Sequence, residues 1–156
     1  MKIKIIIGIW SLLSILSVCE VRGANWVPFE ANNVGDVFYY DKESINNYSG
    51  NIVRVWEKEI FSEEGKKNLI NVLVRTGLSE DKLLQKGYDK VASKTNLIEI
   101  NCKDKTAGIL SLTYYYADGS VLETFDLSGY DVPRIHINPE SAIEKLHNKV
   151  CRKSWK

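Results

Sequence analysis

The sequence predicts an α+β fold: a six-stranded antiparallel sheet, with a C-terminal helix packed on one face and tethered by a disulfide. Three observations carry that expectation. Short β-rich runs recur, several joined by tight turns, which is the pattern of antiparallel pairing. The last stretch has apolar side chains at the spacing of a helical face. Two cysteines, Cys102 and Cys151, fall on the apolar sides of their respective elements.

The chain opens with Lys2 and Lys4, followed by an apolar run from Ile5 to Val18 with few polar interruptions. A basic start and an apolar core of this length mark a secretory leader, and the run is marginal for a membrane span of roughly 20 residues. We expect residues 1–23 to be a signal peptide, with Ala24 the new N-terminus, and 24–156 to be a single domain. An uncleaved anchor is the alternative. Cys19 is then discarded. Lipidation at Cys19 is disfavoured because Val18, not a small residue, precedes it.

Removing the leader leaves about 133 residues, enough for one domain with a core. Losing Lys2, Lys4, Arg22 and Glu20 from a chain of 21 basic and 20 acidic residues brings the formal charge to near −1. That excludes the basic surface a nucleic-acid partner requires. Cys102 and Cys151 remain as a pair bound for an oxidising compartment, where a disulfide is the default.

Trp26–Phe29 reads as an entering edge segment, and Asp36–Tyr40 as the first strand. Asn51–Phe61 is a long strand with Val53, Val55 and Phe61 on one parity and Ile52, Trp56 and Ile60 on the other. A polar turn at 62–67 leads to Leu69–Thr76, where Ile70, Val72 and Val74 alternate, so the two runs are expected to form a hairpin. Ser79–Val91 is expected to be a helix capped by Ser79. Asn96–Cys102, Gly108–Tyr116 and Val121–Asp126 are strands, the last two joined through Asp118-Gly119. In the tail helix, Asn138 is the expected cap, Pro139 the first position, and Ile143, Leu146, His147, Val150 and Cys151 the inner stripe. A Cys102–Cys151 bond would clamp that stripe onto the sheet.

Four stretches, "FYYDKESI" (38–45), "VRVWEK" (53–58), "EINC" (99–102) and "INPESAIEKLHNKVC" (137–151), with Trp26, resemble the bacterial surface-adhesin protein E family over roughly residues 26–152. The resemblance implies a curved sheet of six antiparallel strands whose concave face carries the disulfide-tethered helix. It also implies an exported binding protein of a bacterium, in the periplasm or on the outer surface, whose partner is an extracellular-matrix or envelope protein. Homodimerisation is left open.

No catalytic motif is present: no G-x-S-x-G, no phosphate loop and no H-E-x-x-H. No cofactor is expected, and the scattered carboxylates are expected on solvated faces. The leading function is therefore a non-enzymatic envelope module that binds a protein. The alternative, suggested by 8 tyrosines and 4 tryptophans, is a periplasmic carrier of haem, lipid or another apolar molecule. Trp56, flanked by Arg54 and Lys58 on its parity, is a candidate partner contact, although the favoured reading is structural, a core aromatic beneath the tail helix. Tyr115, on the side of its strand away from Tyr114 and Tyr116, is the second recognition candidate. His147 is expected to be a satisfied helix-edge histidine rather than a haem or metal ligand.

Overall fold

A computed structural model describes residues 23–151. The expected leader, including Cys19, lies outside them except for Gly23. One mixed-length antiparallel sheet dominates. Its main path runs β1 (Trp26–Ala31), β2 (Val37–Asp41), β4 (Ile52–Ile60), β5 (Val91–Asn101), β6 (Thr106–Tyr116) and β7 (Val121–Asp126). Two short pieces join the side of this path: β3 (Asn46–Ser49) on β4 and β8 (Ile135–His136) on β6. Six strands therefore make the continuous sheet, as expected, but their membership differs from the sequence reading. Trp26–Ala31 is in, and the Leu69–Thr76 run is out.

That run belongs to helix α1 (Glu63–Arg75). The alternation of Ile70, Val72 and Val74 is not a sheet pattern here, since Val72 is 55% and Val74 37% exposed. Leu69, Ile70 and Leu73, at helical spacing, supply the packing face instead. The decisive signal is at the start. The Ser62 hydroxyl accepts from Gly65 N–H at 2.9 Å, and Glu63 and Glu64 sit at the positive end of the helix dipole. Ser62 is itself held by Asp36, whose buried carboxylate accepts from Ser62 N–H at 2.7 Å and Oγ–H at 2.9 Å. Gly65 is obligatory at this joint, because a Cβ there would lie 1.9 Å from Asp36 Oδ1.

The expected Ser79–Val91 helix is also shorter. α2 covers Glu80–Lys86 and stops at Gly87, whose φ of 92° is the left-handed cap that glycine adopts at no steric cost. Tyr88–Lys90 form one 3₁₀ turn and Val91 already begins β5. The tail helix α3 spans Ala142–Val150 and is capped by Ser141, not Asn138, with Glu144 N–H donating to Ser141 Oγ at 3.2 Å. The displaced start has a local cause. Glu140 holds φ at +65°, and the Ser141 hydroxyl turns back to the Asn138 carbonyl at 2.6 Å, so the 138–141 stretch closes a turn before the helix can begin.

All three helices pack on one face of the sheet. At one end, α3 places Leu146 and Val150 on Val53, Val55, Ile98 and Ile100. The Cys102–Cys151 disulfide forms with Cα atoms 5.6 Å apart, inside the reach of an unstrained bond. At the other end, α1 and α2 close over Val91 and Tyr114, with Leu83 and Tyr88 completing a second apolar cluster. Between the clusters, on the same face, lies a polar band. Glu57, Glu59 and Asn96 are buried there, and Lys94 bonds Glu59 at 2.6 Å. These glutamates, like Glu99, are not on a solvated face as the sequence suggested.

Candidate partner-binding face and the comparisons

Strand β4 sorts its side chains by parity. Val53, Val55, Glu57 and Glu59 point into the helix-covered side and are buried, while Arg54, Trp56 and Lys58 lie on the opposite side, partly exposed. Trp56 is therefore not beneath the tail helix. It belongs to the uncovered face, together with Arg54, Lys58 and Tyr115.

Two clefts open on that face. The first, about 620 Å³, is lined by Trp26, Trp56, Thr95 and Tyr115, with Asp41 and Glu43 at its edge. Register brings these residues together: Trp26 pairs with Asp41, and Lys58 with Thr95. The Tyr115 hydroxyl lies 3.3 Å from Thr95 Oγ1, which holds the ring against the sheet. Lys58 Nζ stands 5.9 Å from the centroid of the Trp26 ring, within cation–π range.

The second cleft, about 690 Å³, is lined by Tyr48, Arg54, Glu99, Tyr130 and Arg134. Glu99, buried, accepts from Arg54 Nε at 2.9 Å and is also paired to Arg134. The second carboxylate oxygen thus anchors the 127–135 segment to the sheet. Arg54 Cζ sits over the Tyr48 ring, 3.5 Å from its centroid, so the guanidinium is held between that ring and Glu99. Tyr48 and Tyr130 are 58% and 75% exposed.

Of the four residues the sequence singled out, Trp56 and Tyr115 share one cleft, Arg54 lines the other, and Lys58 stands beside Trp26. Tyr48, Tyr130 and Arg134 were missed. They sit in a short edge strand and a long loop, where no periodicity marks an exposed side chain.

His147 is buried on α3, its Nε2 3.4 Å from the Cys102 carbonyl oxygen. With Cys102 and Cys151 it forms the one group of potential metal ligands among the described residues. Both thiols are consumed in the disulfide, so their sulfurs hold no thiolate to offer a metal. No described helix is long and apolar enough to cross a membrane.

No curated protein matches this sequence significantly. Among solved structures, the chain is similar to protein E of non-typeable Haemophilus influenzae, with 12% identity, a TM-score of 0.46, and coverage of 86% of this chain and 79% of that one. A second structure of Haemophilus influenzae protein E gives 13% identity, a TM-score of 0.47, and coverage of 85% and 87%. The model of the family described as surface-adhesin protein E matches residues 26–152. That span takes in the whole sheet, all three helices and both bonded cysteines, and the chain belongs to the surface-adhesin protein E family.

Proposed function

We propose that this chain is an exported, non-enzymatic module of the bacterial envelope that binds a protein partner through its helix-free face. The observation that carries the reading is the gathering of Trp26, Trp56 and Tyr115 in one cleft, beside Tyr48, Arg54 and Arg134 in the next. Trp, Tyr and Arg are the residue types that dominate protein-interface energetics, and here all but Arg134 stand on strands. Family membership supports the adhesive class.

Export rests on the leader: residues 1–23 are proposed to be removed, leaving a domain from Ala24 with no lipid on Cys19. Intact-mass measurement of envelope-fraction protein checks this, and a diacylglyceryl-modified Cys19 would refute it.

The binding test uses immobilised matrix glycoproteins and purified envelope proteins. The protein binds at least one of them, and the Trp56→Ala/Tyr115→Ala double variant binds it at least tenfold more weakly with its circular dichroism unchanged. Binding to none, or undiminished binding by the double variant, would reject the reading.

A further inference from the structure

On the helix-covered face, a cavity of about 360 Å³ opens between the sheet, α3 and the 127–135 segment, sharing only Val132 and Pro133 with the second cleft of the open face. Its walls are apolar: Ile98, Ile109, Ile135 and Ile143 contribute from four separate elements. Ile109 and Ile135 are 40% and 66% exposed, so the mouth is greasy as well. The volume lies within the range of small-molecule sites.

The floor is different. Glu57 and Asn96 line it, at the boundary with the polar band, and both are more than nine-tenths buried. Asn96 Nδ2 donates to Glu57 Oε1 over a long 3.4 Å, and Asn96 Oδ1 has no hydrogen-bond partner. An unsatisfied buried acceptor is costly, and native proteins rarely leave one without a reason.

Charge balance at the floor is also incomplete. Lys94 is bonded to Glu59, and Tyr114 lies beside it on β6. The residues that α3 and the 127–135 segment turn into the cavity are apolar, so they bring Glu57 no cation. Burial is the main reason the Glu57 carboxyl is pushed up to about 7, with Glu59 adding to the rise while Lys94 and Asn96 oppose it.

We infer that this cavity is a binding site for a small apolar molecule carrying one hydrogen-bond-donating cationic head, a primary ammonium, seated against Glu57 and Asn96. The ammonium supplies the counter-charge that Glu57 lacks, and one of its N–H groups suits the vacant Asn96 acceptor. The tail replaces water along the isoleucine walls. Ionised Glu57 disfavours an anionic head, and a plain hydrocarbon leaves the floor unsatisfied.

The test titrates the purified protein with n-octylamine, n-octanol and octanoate by calorimetry, with methyl NMR to locate binding. Octylamine should bind one-to-one, at least tenfold more tightly than octanol, and shift the methyls of Ile98, Ile109, Ile135 and Ile143. At pH 7 its binding should release protons as Glu57 ionises, measured by comparing buffers of different ionisation enthalpy. Glu57→Gln should bring octylamine to within threefold of octanol and abolish the proton release. Ile135→Ala, on the exposed rim, should weaken both ligands about threefold, and it decides the matter if Glu57→Gln does not fold. Octylamine binding no tighter than octanol, shifts confined to other regions, no binding at millimolar ligand, or affinities indifferent to these substitutions would each overturn the assignment and leave a cavity that holds only water. None of these outcomes bears on Trp56 or Tyr115, so this inference and the proposed protein binding fail independently.

Discussion

The two faces of the sheet are built from the same strands and do opposite work. On β4, Val53 and Val55 are sealed beneath α3, while Arg54 and Trp56, their immediate neighbours, stay accessible on the other side. The covered face holds both apolar clusters and the disulfide. The uncovered face holds rings, guanidiniums and the two clefts of the proposed interface. The sealed core and the proposed interface are therefore separated by one residue of register. Substitutions in the apolar clusters of the covered side should act on folding, and those on the open side on partner binding.

The largest expected effect breaks the covered side. Cys151→Ala removes a bond that closes a loop across a sequence separation of 49 residues, worth roughly 4 kcal/mol in the chain-entropy model. Denaturant melts should shift accordingly, and hydrogen exchange should show α3 opening before the sheet. An unchanged midpoint would mean that Leu146 and Val150 alone hold the helix.

The next largest concerns the polar band. Glu57 is raised from an ordinary value of 4.5 to about 7, chiefly by burial, so the folded state binds its proton more tightly than the unfolded chain does. The contribution is fully present below pH 4.5 and lost as pH rises to 7, amounting to roughly 3 kcal/mol. Glu57→Gln should remove that decline, making the variant the more stable protein at pH 8. Chemical melts of both proteins at pH 4.5, 6 and 8 measure it, and parallel curves would show that the carboxyl is not buried in solution.

The smallest effect is expected on the open side. Tyr48→Ala removes a ring that is mostly in water and a contact with Arg54 worth about 0.5–1 kcal/mol at an exposed site. The thermal midpoint should barely move while partner binding falls. A large loss of stability would erase the distinction between the faces.

Much of the covered side was legible in the sequence because burial imposes period. The parity of Val53 and Val55, the stripe of Leu146 and Val150, and the Asp118-Gly119 turn, where Gly119 takes a φ of 83°, all have local causes. Helix α1 was misread because Ile70, Val72 and Val74 alternate as in a strand, while the helical face is carried by Leu69, Ile70 and Leu73. The Ser62 cap with Glu63 and Glu64 behind it would have decided the matter. The polar floor was illegible. Glu57 and Asn96 are 39 residues apart, and only the β4–β5 register sets them opposite each other. On the open side, parity grouped Arg54, Trp56 and Lys58 and set Tyr115 apart, but it did not say which face the helix covers, so Trp56 was expected beneath it; Arg134 was out of reach, because its position depends on an ion pair to Glu99 across 35 residues.

The strand order along the main path is also the order of synthesis. Each new strand meets a partner already made, so the sheet can grow by zippering, without waiting for a distant segment. Tail helix α3 is the exception: it must return to a surface completed by strands finished long before. In a chain threaded across a membrane from its N-terminus, Cys102 emerges with no partner and stays exposed to oxidants until Cys151 follows. The final covalent step therefore doubles as a mark that α3 has docked on the finished sheet.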